Sequence, residues 1–170
     1  MPQKPDTPEA LADKQAIRDL IYTYCRAVDR LDIPLGHAIW HDDGLADYGA
    51  AFYQGPGKGV IDAICQSHLG LASHSHQVAN ILIHLDGDKA GSEAYVHGTM
   101  RREANGAMMQ IGVWGRYVDQ WEKRGGAWGL VHRVVLYDHE EIRPVTPMGQ
   151  PSLATRDATD PSYAALPRGA

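Results

Sequence analysis

Residues 73–90 read SHSHQVANILIHLDGDKA, and how they are read decides what kind of fold this is. Side chains alternate along a strand, so His74, His76, Val78, Asn80, Leu82 and His84 are predicted to share one face. Ser75, Gln77, Ala79, Ile81, Ile83 and Leu85 take the other. Both faces are mixed, which suits a sheet with a helix-covered side and a partly polar pocket side. The LDGDKAG segment that closes the stretch is a hairpin signal.

Toward the C-terminus the pattern continues. Residues 74–85, 90–102, 108–123 and 127–138 are strand-like runs, separated by DGD, Asn-Gly and RGG turns. Toward the N-terminus the period changes. Leu11, Ile17, Leu20, Ile21, Tyr24 and Val28 recur at helical spacing, predicting an amphipathic helix over 10–30. Pro34 breaks or restarts it, giving a short second helix over 34–40. LADYGAAFY at 45–53 reads as a short strand, and residues 57–71 as a third helix. Helices first and an antiparallel meander after is an α+β pattern, in which the helices must cover one face of the sheet. The sheet is predicted to bend strongly and, with the helices, to enclose a cone-shaped space. Residues 1–9 read as a disordered lead, 10–143 as the folded domain, and 144–170 as a Pro/Ala-rich tail. That tail is either loose or wraps over a cavity mouth or a partner subunit.

Bulk properties exclude several classes. The chain has 170 residues, 44% of them hydrophobic, and a formal net charge of -5 without a basic block. Nucleic-acid binding needs a positive face, so it is disfavoured. The N-terminus lacks the apolar segment of a signal peptide. No run approaches the ~20 apolar residues of a membrane span. A soluble, cytoplasmic protein without nucleic-acid or membrane partners is expected. Cys25 and Cys65 make neither a disulfide framework nor a redox pair and read as buried small hydrophobes. No GxSxG elbow, P-loop or GxGxxG is present, so no nucleotide or nicotinamide is called for.

The His74–His76 pair opens two readings. Two imidazoles on one face can begin a metal site, with His97, His132 or Asp29 as a third ligand. No HxxxH, HExxH or CxxC spacing supports that, and no metal is expected. An acid–base site needs only one histidine and one carboxylate. Asp29, bordering the apolar stripe of the first helix, offers the carboxylate. Candidate substrate contacts are spread more widely. Asn80 can orient an imidazole or a ligand. Tyr48 and Tyr53 flank small residues, where a hydroxyl can donate to a substrate oxygen. Trp114 and Met108 fit pocket walls or ordinary core, and with Tyr48, Phe52 and Tyr53 they suggest an apolar, aromatic ligand. His97 faces a pocket, a subunit interface or simply the sheet surface. His132, in an otherwise apolar set, fits a pocket donor or a satisfied core histidine. Tyr117, Asp119 and Trp121 alternate along a face that could join subunits.

Four segments carry a resemblance to a known family: AIRDLIYTYCRAVDRLD at 16–32, YQGPGKGVIDAI at 53–64, SHSHQVANILIHLDGDKA at 73–90, and GRYVDQWEKRGGAWGLVHRVV at 115–135. In order and spacing they resemble the SnoaL-like branch of the NTF2-like superfamily. The resemblance implies an α+β cone, a curved antiparallel sheet with N-terminal helices around a deep pocket. It implies activities that need no cofactor, among them dehydrochlorination, dehydration and deformylation, although some members only bind. Asp29 falls at the place of the dehydrochlorinase's helix Asp, and His76 at that of its strand His. Tyr24, five residues before Asp29, matches a tyrosine of the bile-acid dehydratase. Tyr48 looks like the counterpart of a scytalone dehydratase tyrosine. That enzyme also has a tyrosine where this chain has Val28, and a further histidine where this chain reads QIGVWG. No family role carries over to His74. The resemblance therefore implies a cofactor-independent lyase with a His76–Asp29 dyad. Its substrate would be hydrophobic and aromatic, such as a lignin-derived diarylpropane. A dehydratase of a polyketide or steroid-like substrate and a non-catalytic binding or dimerisation domain are the rivals. Self-association as a homodimer or homotrimer is expected.

Overall fold

A computed structural model describes residues 6–166. The elements are α1 (Pro8–Asp29), α2 (Ile33–His37), β1 (Trp40–Asp47), β2 (Gln54–Pro56), α3 (Gly57–His68), β3 (Ser73–Asp86), β4 (Lys89–Ala104), β5 (Ala107–Arg124), β6 (Ala127–Pro144) and α4 (Ser162–Ala165). Of the lead predicted over 1–9, residues 1–5 lie outside the described residues, as do 167–170 of the tail.

Thr7 caps α1, its hydroxyl accepting from Ala10 N at 3.2 Å, and Pro8 starts the helix where a missing N–H costs nothing. Ile17, Ile21, Tyr24 and Val28 form its buried stripe. The helix ends because Leu31 adopts φ +53°, with Asp32 N bonded to Ala27 O at 2.8 Å and Leu31 N to Val28 O at 3.2 Å. This is a Schellman closure without the usual glycine. Asp32 then caps α2 through Leu35 N. The first strand spans 40–47, not 45–53. Beyond Asp47 the chain turns, with Gly49 at φ +82° and its N–H bonded to the Asp47 carboxylate.

The strand order is β2-β1-β6-β5-β4-β3. β3 to β6 form the predicted antiparallel meander, but β1 lies parallel to β6. The cone of antiparallel strands is therefore corrected. The sheet is mixed, it has free edges at β2 and β3, and it is neither closed nor strongly curled. The physical reason is connectivity. After β1 and β2, α3 carries the chain across the sheet to the opposite edge, where β3 begins. The meander then returns, and its last strand meets β1 running the same way.

Two of the sheet's bulges decide which side chains around the cavity face the helices. Ala79 pairs with Tyr95 and Leu82 with Glu93, so β3 carries one extra residue there. Asn80 takes it up in the left-handed region at φ +51°. Before the bulge His74, His76 and Val78 point inward. After it Ile81, Ile83 and Leu85 do, and Asn80 and Leu82 are exposed. On β6, Gln120 pairs with His132 and Trp121 with Leu130, leaving Val131 as the extra residue. Trp128 and Leu130 are therefore buried together with Arg133 and Val135, although simple alternation separates them.

Candidate active site

A cavity of about 300 Å³ lies between α1, α3 and the inner face of the sheet. That is the small end of the range for ligand sites. Val28, Ile64, Val96, Met100 and Val113 give it apolar walls, while tyrosines and histidines supply its polar groups. Gly98 and Gly115 line it with bare backbone. At Gly115 a Cβ would come within 2.2 Å of the Leu136 carbonyl oxygen, so only glycine fits.

His76 and Asp29 meet at its edge. The Asp29 carboxylate accepts the His76 backbone N–H at 3.0 Å and its ring Nδ1 at 2.7 Å. Both side chains are mostly buried, with 15% and 13% exposure. The double grip fixes strand and ring together. It also places the proton on Nδ1, because a carboxylate can only accept. Nε2 is left with its lone pair and has no protein hydrogen bond among the described residues. His76 faces Gly98 across the β3–β4 ladder, and an added Cβ there would lie 3.6 Å from Nε2, so open space adjoins the free nitrogen. His74 donates from Nε2 to the Val28 carbonyl at 3.1 Å. Both histidines thus anchor on the last turn of α1, whose dipole favours positive charge. Burial pushes the His74 ring below its ordinary pKa. The same effect, aided by the nearby His74 and His76, drives His68 down to about 4.

A second polar group lies deeper. The Tyr24 and Tyr48 hydroxyls are 2.5 Å apart and both line the cavity. Burial raises both phenols, while the charge on Arg133 opposes the rise at each. Arg133 is fully buried. Its guanidinium is paired with Asp119 at 2.7 and 2.8 Å and stacks 4.2 Å from the Tyr24 ring and 4.0 Å from that of Tyr117.

Of the residues proposed from sequence, Asp29, His76, Tyr24, Tyr48 and Phe52 come together here. The others do not. Tyr53 turns its hydroxyl to the Pro56 carbonyl at 2.9 Å and fills the space over Gly55 and Gly59. Asn80 forms the bulge and is exposed. His97 stacks on Trp114 at 4.3 Å, and Trp114 on His139 at 4.6 Å, all on the outer face. His132 is turned outward by the Val131 bulge. His74 sits behind His76 rather than in the cavity wall. The face suggested for joining subunits is also corrected: Tyr117, Asp119 and Trp121 are 4%, 2% and 1% exposed and form part of the core. Alternation groups residues into sets without saying which set faces inward, and here the helices cover the set containing Gly115 and Tyr117.

Residues missed from sequence are His68, Tyr117, Arg133 and Asp119. For the last pair a signal existed, since opposite charges directly across an antiparallel ladder attract. For His68, nothing in a helical pattern marked it. Cys25 and Cys65 are buried free thiols, raised by burial to about 12 and about 11. Among the described residues no group of three or more His, Cys, Asp or Glu is placed to hold a metal ion, and no helix is long and apolar enough to cross a membrane.

The sequence profile of the SnoaL-like domain matches residues 9–134. No curated protein is significantly similar to the chain. Among solved structures, LinA is 19% identical with a TM-score of 0.70, over 84% of this chain and 95% of that one. Kfla4162 from Kribbella flavida is 18% identical with a TM-score of 0.69, over 78% and 95%. The hexachlorocyclohexane dehydrochlorinase LinA-type3 from Novosphingobium barchaimii LL02 is 18% identical with a TM-score of 0.65, over 84% and 96%. At these identities the likeness shows a shared fold.

Proposed function

The chain belongs to the SnoaL-like family, and from that premise we propose that it is a cofactor-independent lyase in which His76 and Asp29 abstract a proton and drive an elimination. The observation that carries the proposal is the 2.7 Å bond from His76 Nδ1 to Asp29, with Nε2 open to the cavity. Nε2 takes the proton, and Asp29 holds the tautomer and stabilises the imidazolium. If the proton leaves carbon, a double bond forms and the leaving group departs with its bonding pair, either as halide or as a hydroxyl that takes the proton back from the His76 imidazolium and leaves as water. If it leaves a hydroxyl, the C–C bond beside it breaks, formaldehyde departs, and the pair stays on the neighbouring carbon. With Tyr24 donating to Tyr48, the Tyr48 proton is free to hold a substrate oxygen as charge develops.

The substrate is proposed to be compact, apolar and aromatic with a hydroxyl group, of the type found in lignin-derived diaryl compounds. The dehydration of a polyketide or steroid-like alcohol would use the same dyad. A binding module has no need of a carboxylate that grips a histidine at both ring and backbone. The test is turnover of hydroxylated and halogenated candidates by wild type, Asp29→Asn and His76→Ala. Rates undiminished in the variants would sink the proposal.

A further inference from the structure

We propose that His68 is a substrate-contact residue, donating a hydrogen bond from Nε2 to a substrate oxygen that gains negative charge as His76 takes the proton. The inference rests on the lyase reading and narrows its substrates to oxygenated compounds, because a halocarbon without oxygen gives this donor nothing to hold.

His68 is the last residue of α3 and lines the cavity on the same side as His76. Its ring lies nearly parallel to that of His76, with centroids 6.0 Å apart, and 4.5 Å from that of His74. The residue is 8% exposed. Its Nδ1 is sealed from solvent without a hydrogen-bond partner among the described residues, and so is the Nδ1 of His74. The His74 proton is committed to the Val28 carbonyl through Nε2, so its Nδ1 carries a lone pair. Orphaned buried N–H groups are rarer than under-satisfied acceptors. The His68 proton therefore sits on Nε2, the nitrogen left to face the cavity.

The balance of burial and neighbouring charges keeps the ring neutral. The groups that face it are His74 and His76 on β3, Asp29 on α1, and Arg156 of the C-terminal segment, whose Nη1 donates to the His68 carbonyl at 2.7 Å. Burial, His74 and His76 outweigh Asp29, and the ring titrates at about 4. A neutral imidazole can stabilise an oxyanion without surrendering its proton to it. His68 and Tyr48 would then hold oxygen while His76 works between them.

The test uses 4-nitrophenol, whose yellow phenolate reports ionisation directly, bound to the full-length protein. Wild type is expected to bind the phenolate and lower the pKa of the bound probe. His68→Phe is expected to raise that pKa by about one unit and weaken phenolate binding about tenfold, the scale of one hydrogen bond to a charged group. His68→Gln, whose amide N–H reaches the place of Nε2–H, should restore most of both. A folded His68→Phe variant that leaves the probe's pKa unchanged or lower overturns the inference, as does a failure of His68→Gln to recover it. A wild type that does not lower the probe's pKa also overturns the inference, whereas the base reading stands or falls separately on the turnover of His76→Ala and Asp29→Asn.

Discussion

Two buried carboxylate pairs lie beside one cavity, and their difference shows which can do chemistry. Asp119 and Arg133 are both 0% exposed and bonded twice. A guanidinium does not release its proton, so this pair is permanent and serves to hold Tyr24 and Tyr117 in place. Asp29 and His76 are nearly as buried, yet one imidazole nitrogen opens on the cavity. An imidazole can take and return a proton near neutral pH. The sealed pair is scaffold, and the pair with one open nitrogen is the candidate machine.

The largest effects should come from breaking this contrast. His76→Ala and Asp29→Asn are each expected to lower turnover by about 10²–10⁴-fold with the circular dichroism spectrum retained. Asp119→Asn should act on stability instead, costing about 3–5 kcal/mol in urea unfolding because it leaves Arg133 buried without a counter-charge. Loss of activity in Asp119→Asn at unchanged stability would reverse the two roles.

A pH effect sharpens the picture at His68. Unfolded, it protonates near ~6.5, whereas folded it does so at about 4. Between these values the unfolded state holds more protons, so stability falls as pH falls. The slope from this one group is at most about 1.4 kcal/mol per pH unit. His68→Gln should flatten it in unfolding curves measured across that window. Gly115→Ala is expected to cost about 1–3 kcal/mol in the same assay, since its Cβ would strike the backbone of Leu136 and not a movable side chain. Smallest is Asn80. Replacement by Ala should cost about 1 kcal/mol for the left-handed conformation, and replacement by Gly should be close to neutral.

Much of the site was legible because its members lie on strong local patterns. Asp29 closes the helical stripe of α1, and His76 precedes the β3 bulge, so simple periodicity placed each on its element and face, while their pairing was read from the family resemblance. The failures share one cause. Asn80 and His132 lie at or just past a bulge, where one extra residue inverts the alternation. Trp114 and Tyr117 were assigned to the wrong faces because period-two patterning is symmetric until something covers one side.

By itself, then, the sequence determined the first three helices, the four-stranded meander and the family, since each rests on residues close together or on spacing along the chain, while Asp29 and His76 were paired only through the resemblance to that family. Only the tertiary structure decided that β1 joins β6 in parallel, that the sheet stays open, that His68 lines the cavity, and that the Arg133–Asp119 pair packs against Tyr24 and Tyr117. These follow from contacts between residues far apart in the chain and from the packing of α1 and α3 on one face, which no local pattern encodes.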